Sequence, residues 1–358
     1  MGIVRPEESQ RMEIEEFCRM LLSCAGVRRR KDEDAYRDRR VSTGDDAQEK
    51  LVCVTSGVSF LGLAIVNQLL VRGYSVRITV DNQEDVEKLR EMEMSGEMRG
   101  ISNIIEAVVA NLSEAESLSE AFHGCCGVFH TAAFIDPAGL SGYNKYMAEI
   151  EVTASENVTK ACAITPSVRN CVFTSSLLAC VWRDNSSDDI SPVIDHDCWS
   201  NESFCADRKL WYALGKLKAE KAAWRVAEER GLKLATICPG LIIGPEFCQR
   251  NPTSTIAYLK GAQEMYRHGL LATVDVTRLA EAEVSVFEAM NKTAFGRYIC
   301  FNQVIGNEDE VEKLAEMAGI QINMVSENTA SNSATRFKLS NTKLSTLMTR
   351  TLRCNNVC

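Results

Sequence analysis

The sequence lacks the features that mark membrane-spanning, secreted, metal-binding and nucleic-acid-binding proteins. No run is long and apolar enough to span a bilayer, and the amino terminus lacks the positive-then-apolar order of a secretory signal. No C-x2-C pair occurs, and the four histidines are not at ligand spacing. The net charge of −9 argues against a nucleic-acid-binding surface, which needs concentrated lysine and arginine. We therefore predict a cytoplasmic protein with no bound metal, no membrane association and no nucleic-acid partner.

Cysteine, in contrast, is abundant, with fifteen residues. In a short secreted chain this number would indicate a disulfide framework. Here the cysteines are scattered through apolar segments, as at Cys53, Cys171 and Cys238. We predict that most of them serve as small buried hydrophobic side chains.

Patterning divides the 358 residues into three parts. Residues 1–50 contain one short amphipathic stretch and then a charge-dense segment, which predicts a short helix and a flexible linker. The sequence indicates no specific protein partner for this extension. Residues 51–240 alternate apolar runs with helical stretches, and the alternation weakens after Pro239. We predict a main domain at 51–240 and a smaller lobe, followed by a tail, at 241–358.

Six apolar runs in the main domain are candidate strands, namely LVCVTS, SVRITV, IIEAVVA, GVFHTAA, NCVFTSS and KLATICP. Helical stretches such as LGLAIVNQLLVRG separate them. Strands that alternate with helices favour parallel pairing, because each helix returns the chain to the same edge of the sheet. The pattern therefore predicts an α/β fold with a doubly wound parallel sheet.

The first run continues through a turn into a helix, in the stretch LVCVTSGVSFLG at residues 51–62. A dinucleotide site places its pyrophosphate at such a helix N-terminus, where backbone N–H groups and the helix dipole attract negative charge. Gly57 and Gly62 allow close backbone packing, whereas Ser56 and Ser59 stand where glycines are expected. Their hydroxyl groups either crowd the phosphates or donate hydrogen bonds to them. A purely structural turn is an equal alternative.

Asp81 follows the second candidate strand, about twenty residues after the turn. An acidic side chain there accepts hydrogen bonds from the adenosine ribose, which favours NAD over NADP because the carboxylate repels a 2′-phosphate. Asp81 or Asn82 could equally cap the next helix. Arg77 and Lys88 remain as positive charges that could favour NADP.

Tyr212 and Lys216 lie four residues apart in the helical stretch WYALGKLKAEKAAW, so both side chains share one helix face. Ser175 and Ser176 end a candidate strand, at the sheet edge where open α/β sheets bind ligands. A lysine ammonium stabilises tyrosinate and lowers the tyrosine pKa toward the working range, and a serine hydroxyl can hold a carbonyl oxygen. The tyrosine then gives its proton to that oxygen as hydride arrives at carbon. Alternatively, the tyrosine and lysine lie on a solvent-exposed helix face and have no chemical role.

These segments, with AVVANLSEAESLSEAFHGCCGVFHTAA, DHDCWSNESFC and CPGLIIGP, resemble in their order those of extended short-chain dehydrogenases/reductases. The likeness is to the plant cinnamoyl-CoA reductase and dihydroflavonol 4-reductase group, and it covers about residues 50–305. It implies a Rossmann-type fold with a smaller C-terminal substrate-binding lobe and an NAD or NADP cofactor. It also implies a small aromatic, phenylpropanoid-like substrate.

The resemblance also implies roles for individual residues. Ser176 would bind the carbonyl, Tyr212 would be the general acid and Lys216 would hold the nicotinamide ribose. The cofactor would lie against Thr55, Gly57, Phe60, Leu61 and Gly62 at the pyrophosphate, with Ser59 in the same turn, Asn111 and Leu112 at the adenine, Thr131, Ala132 and Ala133 along its length, and Pro239 behind the nicotinamide. Pro239 is equally compatible with a proline that only begins a loop.

Several positions depart from the family pattern. Ser56 and Ser59 replace glycines, Asp81 stands where an arginine commonly reads the NADP phosphate, Asn111 replaces an aspartate and Thr153 a helix asparagine. The segment LWYALGK also differs from the cinnamoyl-CoA reductase hallmark NWYCYGK. We predict an NAD(P)H-dependent reductase of a carbonyl or CoA thioester. The alternatives are a weak or inactive nucleotide- or partner-binding protein on the same fold and, third, an epimerase or dehydratase that holds NAD tightly.

Overall fold

The structure, a computed structural model, describes residues 50–97, 105–131, 143–183, 192–319 and 337–355. The helix and linker predicted before residue 50 lie outside these ranges. No helix within them is both long and apolar enough to cross a bilayer. The cytoplasmic location stays a prediction.

Seven strands form a central parallel sheet: β1 Leu51–Thr55, β2 Ser75–Val80, β3 Ile105–Val109, β4 Gly127–His130, β5 Asn170–Thr174, β7 Lys233–Pro239 and β10 Gly296–Cys300. Their order is β10-β7-β5-β4-β1-β2-β3. Val52 of β1 is paired with Val76 on one side and Gly127 on the other, so the chain winds outwards in both directions from β1. The predicted doubly wound parallel sheet and all six predicted strands are confirmed.

The seventh strand, β10, was not predicted from the sequence. Its segment GRYIC has a charged residue, Arg297, in second position, which interrupts the apolar run expected of a buried parallel strand. Arg297 is nevertheless only 7% exposed in the fold. The strand forms because that charge has a buried partner, described below.

Thirteen helices connect or cover the strands in the described ranges: α1 Phe60–Val71, α2 Gln83–Ser95, α3 Ala115–Phe122, α4 Lys145–Ile164, α5 Leu178–Val181, α6 Glu202–Asp207, α7 Trp211–Arg230, α8 Phe247–Arg250, α9 Pro252–Leu259, α10 Ala262–Arg267, α11 Val276–Ala289, α12 Glu308–Ala318 and α13 Thr342–Asn355. Asn144 caps α4 through its side chain, and Gly231 ends α7 in the left-handed conformation. Helix α4 packs along α7, which brings their inward-facing residues together.

Two small sheets lie outside the central one. Strands β8 Leu241–Ile243, β9 Ala272–Asp275 and β11 Gln303–Val304 form a three-stranded sheet, and β6 Val193–Ile194 pairs with β12 Lys338–Leu339. The chain after residue 240 therefore supplies the three-stranded sheet and also β10 of the central sheet. The domain division at residue 240 stays a prediction.

A buried ion pair joins β10 to helix α7. Arg297 Nε donates to Glu220 Oε1 at 2.7 Å, and the guanidinium carbon lies 3.5 Å from the centre of the Trp199 ring. Glu220 also accepts from the hydroxyl groups of Ser175 and Thr236, each at 2.6 Å. Each charge in this part of the core is thus hydrogen-bonded, as burial requires.

The described cysteines match their predicted use. Of the eleven whose side chains the structure describes, nine are buried and all are free thiols. Burial raises the pKa of the Cys205 thiol to about 12, which keeps this side chain neutral at physiological pH. It contributes to the core as a small apolar group.

Candidate active site

The turn between β1 and α1 is shaped by close backbone packing. A Cβ atom on Gly62 would lie 2.3 Å from the Ser56 carbonyl oxygen, so only glycine lets α1 begin against the turn. A Cβ on Gly57 would lie 2.4 Å from the Ile78 side chain. Beneath the turn, the Thr55 hydroxyl accepts from the Thr131 backbone N–H at 3.1 Å. The two retained glycines are therefore explained by packing.

The two serines of the turn have different roles. Ser56 has a φ of +52°, in the left-handed region that favours glycine, which explains why a glycine is expected there. Ser59 is the N-cap of α1, and its hydroxyl oxygen accepts from the Gly62 N–H at 3.1 Å. The Ser59 hydroxyl hydrogen remains able to donate to a phosphate. The Phe60 and Leu61 amides lie in the first helical turn, where an α-helix provides no acceptor.

Replacing Ser59 by glycine tests whether this turn still binds pyrophosphate. The variant loses the helix cap, which costs only a few tenths of a kcal/mol when glycine is the replacement, and it frees the Gly62 N–H. We expect the free energy of cofactor binding to change by no more than about 1–2 kcal/mol, the magnitude of one hydrogen bond. Titration of NADH and NADPH by nicotinamide fluorescence measures it. Binding by the variant where the native protein has none would show that the native turn no longer binds cofactor.

A cavity of about 980 Å³ opens at the carboxyl ends of the central strands. Eleven of the predicted site residues line it: Ser59, Phe60, Leu61, Asp81, Asn111, Leu112, Thr131, Ser176, Tyr212, Lys216 and Pro239. Thr55, Gly57 and Gly62 instead support the turn, and Ala132 and Ala133 lie outside the described residues. Helix-end amides, an acidic side chain and hydroxyl groups within one cavity form a set of hydrogen-bonding groups that fits a nicotinamide dinucleotide. The individual roles stay predictions.

The helix cap after β2 belongs to Asn82. Its side-chain oxygen accepts from the Asp85 N–H at 3.0 Å. Asp81 therefore has no part in that hydrogen bond, and it lines the cavity. Burial, and then the neighbouring Asp85, raise the pKa of the Asp81 carboxyl above its usual value.

The two basic residues near this end of the cavity differ in their availability. The Arg77 guanidinium donates hydrogen bonds to the Glu106 carboxylate at 2.8 Å and to the His123 carbonyl at 2.6 Å. Lys88 lines the cavity and pairs with Asp85 at 3.1 Å. Lys88 is therefore the better placed of the two to face a 2′-phosphate.

The two serines at the end of β5 also divide their roles. Ser175 donates to Glu220, inside the buried ion-pair network. Ser176 accepts from the Leu178 N–H at 3.2 Å, so its own hydroxyl hydrogen can be donated into the cavity. This arrangement favours Ser176 as the residue that binds a carbonyl oxygen.

Tyr212 and Lys216 lie on the first turns of α7, inside the cavity rather than on a solvent face. Lys216 is 4% exposed, and its Nζ lies 5.8 Å from the centre of the Tyr212 ring. The same Nζ lies 2.6 Å from Glu151 Oε1 of α4. Tyr143 donates its hydroxyl hydrogen to Glu151 and meets the Tyr212 ring edge-on, at 5.0 Å between centres.

Burial raises the pKa of Tyr212 above its usual value, the Lys216 ammonium opposes that rise and Glu151 adds to it. Lys216 does lower the pKa of Tyr212, but burial outweighs it, so the predicted net lowering of this pKa is wrong and Tyr212 is protonated. Burial also opposes the charge of Lys216. Its pKa is nevertheless raised, because Glu151 and Tyr212 together favour the ammonium.

Sequence reasoning missed several titratable residues around this group, among them Glu151, Glu283 and His130. Glu151 lies on the apolar side of α4 with Met147 and Ala154, and an acidic residue at such a position is the signal that could have indicated it. Glu283 accepts from Thr174 at 2.7 Å, and burial raises its pKa to about 8. Burial lowers the pKa of His130 to about 3.

Outside the cavity, Asp195, His196 and Asp197 carry potential metal-ligand atoms within 4.8 Å of one another. Asp197 is exposed and the other two are half-buried. Acidic groups so arranged at a surface are common without an ion. The absence of a metal therefore stays a prediction.

Comparison with known sequences gives consistent matches. The profile of the NAD dependent epimerase/dehydratase family matches residues 52–275. Cinnamoyl-CoA reductase 1 of Petunia hybrida is 38% identical over 275 residues, which are 75% of this chain and 77% of that protein. Tetraketide alpha-pyrone reductase 1 of Arabidopsis thaliana is 34% identical over 279 residues, which are 76% and 82% of the two chains.

Solved structures share the fold over most of the chain. Vestitone reductase from alfalfa superposes with a TM-score of 0.60 at 28% identity, over 83% of this chain and 91% of that one. Yeast methylglyoxal/isovaleraldehyde reductase, solved with NADPH, has a TM-score of 0.63 at 21% identity, over 84% and 93% of the two chains. The second likeness shows the fold alone.

Proposed function

Since this chain belongs to the NAD dependent epimerase/dehydratase family and is a cinnamoyl-CoA reductase-like, NAD(P)-dependent oxidoreductase, we propose that it reduces a carbonyl or CoA thioester on an aromatic, phenylpropanoid-like substrate. The observation that carries the proposal is the single cavity that contains Ser176, Tyr212 and Lys216 together with the turn before α1. These are the parts that a carbonyl reduction needs in one place.

Each residue of the group has a chemical task in this proposal. The Ser176 hydroxyl donates to the carbonyl oxygen and orients it, and Tyr212 gives the same oxygen its proton. Lys216 holds the ribose hydroxyls with its ammonium and stabilises the tyrosinate that remains. When bound, NAD(P)H supplies the hydride to the carbonyl carbon.

Part of the remaining lining is apolar and fits an aromatic substrate. Met147, Ile150, Ile242 and Tyr258 contribute apolar surface to the same cavity. Apolar and aromatic walls with a few polar groups are typical of sites for aromatic ligands.

Cofactor titration and a substrate panel test this function. NADH and NADPH are added separately and followed by nicotinamide fluorescence, and hydroxycinnamaldehydes, hydroxycinnamoyl-CoA esters and dihydroflavonols are assayed by nicotinamide absorbance. We expect binding and reduction of at least one panel member. Failure to bind either cofactor at millimolar concentration would rule out the reductase. Binding without turnover on any member would instead favour a binding protein on this fold, for which the altered turn at Ser56 and Ser59 provides the structural reason.

We also propose that the protein prefers NADH, because Asp81 lines the cavity where the adenosine ribose would lie. A carboxylate within a few Å of a 2′-phosphate costs several kcal/mol at an effective dielectric of about 20, before salt screening. Asp81→Arg should shift the ratio of the two dissociation constants towards NADPH by at least about tenfold, as measured by fluorescence titration.

Asp81→Asn is the control, since it removes the charge without adding a positive one and should give an intermediate ratio. A native protein that already prefers NADPH strongly would contradict the ribose assignment. Lys88, which lines the same end of the cavity, would then be the residue that reads the phosphate.

A further inference from the structure

The carboxylate of Glu151 is buried directly against the ammonium of Lys216. Glu151 is 2% exposed, and its Oε1 lies 2.6 Å from Lys216 Nζ. It comes from α4, whose Met147 and Ile150 line the cavity. Lys216 has three N–H donors, so contact with Glu151 leaves donors for other acceptors in the cavity.

Tyr143 completes the pairing on the far side of Glu151. Its hydroxyl donates to the carboxylate, and its ring packs edge-on against Tyr212. A Cβ atom on Gly215 would lie 2.6 Å from the Tyr143 hydroxyl oxygen. The glycine just before Lys216 therefore makes the space that this tyrosine occupies, and the arrangement depends on residues from both helices.

We propose that Glu151 is a positioning residue of the reductase site, which holds the Lys216 ammonium in place and keeps the Tyr212 hydroxyl protonated and ready to donate. This inference rests on the proposed function for the role of Tyr212 as proton donor. It adds a residue of α4 to a group that otherwise comes from β5 and α7. Thr153, which stands where the family has a helix asparagine, lies two residues further along α4. It is exposed, and its hydroxyl donates to the Glu149 carbonyl.

The physical argument is electrostatic. Loss of the Tyr212 proton creates a negative charge in a buried site, and a neighbouring carboxylate opposes it. The Lys216 ammonium favours the same loss, so pairing that ammonium with Glu151 cancels part of its effect. Removing the charge of Glu151 should therefore lower the pH at which Tyr212 ionises.

Other titratable side chains also face the pair from the surrounding elements, namely Tyr143, Tyr258, His130 and Glu283. Burial raises the pKa values of the two tyrosines and lowers that of His130 to about 3, so these three are uncharged at neutral pH. Burial raises the pKa of Glu283 to about 8. Above that pH, Glu283 ionises and helps to keep Lys216 charged when Glu151 is replaced.

Replacement of Glu151 by glutamine tests the proposal through a pH profile. We expect the alkaline limb of the pH profile of kcat/KM to shift to lower pH by about one unit. Glu151→Asp keeps the charge but shortens the side chain, so it should restore the limb towards the native pH while kcat stays below native. Glu149→Gln is the matched control, because Glu149 is an exposed residue of α4 and its loss should leave the limb unchanged.

A second measurement needs no turnover. Tyrosinate absorbance is titrated for native protein and Glu151→Gln, each against its own Tyr212→Phe version, so that the difference isolates Tyr212. The midpoint should fall by about one pH unit in Glu151→Gln. An unchanged midpoint would overturn the proposal and leave Glu151 a purely structural role, even if the variant unfolds more easily. A native protein that binds neither cofactor would refute the proposed function, but the result of this titration would stand.

Discussion

Tyr212→Phe is expected to slow the chemical step by a factor of about 10²–10⁴, the usual contribution of a positioned acid, while cofactor binding stays nearly unchanged. The substitution removes one hydroxyl from a residue that lines the cavity and leaves the ring in place against Tyr143. The rate is measured by nicotinamide absorbance on whichever panel member the native protein reduces. Binding is measured separately by nicotinamide fluorescence.

Tyr143→Phe is the matched control for this loss. It deletes the same atom from the neighbouring ring, whose hydroxyl donates to Glu151 rather than to a substrate. It should retain the rate within about tenfold, since it removes one hydrogen bond at a distance from the reacting atoms. If Tyr212→Phe matched the native rate, Tyr212 would not be the acid.

Lys216→Ala should also weaken cofactor binding, but it is a less specific test. Removal of the ammonium leaves the Glu151 carboxylate buried without its cation. Breaking a buried pair in this way costs about 3–5 kcal/mol of stability. Loss of activity in that variant could therefore reflect unfolding, which Tyr212→Phe avoids.

Arg297→Met should lower the free energy of unfolding by about 3–5 kcal/mol. Glu220 is fully buried, and its ion pair with Arg297 is the contact that balances its charge. Methionine fills much of the volume but supplies no donor, so a charged carboxylate remains in the core with the Ser175 and Thr236 hydroxyl groups and the Cys238 thiol as neutral donors. Denaturant unfolding measures the loss of stability, provided that the dependence of the unfolding free energy on denaturant concentration is the same in both proteins.

Two further variants show whether the loss comes from the unpaired charge. The double variant Arg297→Met with Glu220→Leu should recover much of the stability, because replacing both partners of a buried pair by apolar groups is often neutral. Arg278→Met breaks an exposed pair with Glu281 and should cost no more than about 1 kcal/mol. A loss at Arg297 no larger than at Arg278 would contradict the argument.

The central sheet could be predicted because six of its strands are apolar runs separated by helices, and β1, β5 and β7 among them are almost entirely buried. Helix α1 begins at Phe60 and its C-cap is Arg72, close to the predicted span, because glycine and serine signals mark both ends. Strand β10 was missed because Arg297 breaks its apolar pattern, and the partner that makes the strand possible lies 77 residues away. Local pattern carries no information about such a partner.

The candidate site, like the sheet, could be predicted only in part. Tyr212 and Lys216 share a helix face, which spacing alone predicts, and the structure places both in the cavity with Ser176. The contact of Lys216 with Glu151 joins two helices and depends on how they pack, so no spacing rule could indicate it. Sequence alone also could not decide whether Asp81 or Asn82 caps the next helix. The observed hydrogen bond to Asn82 decides it.

The left-handed conformation of Ser56 makes the turn a useful position for protein engineering. A residue with a Cβ atom costs about 1–2 kcal/mol in this conformation, whereas glycine adopts it freely. Glycine at position 56 would therefore relieve strain and at the same time remove a side chain from the wall of the cavity. Stability and ligand access usually compete in redesigned enzymes. At this position, a single substitution is expected to improve both.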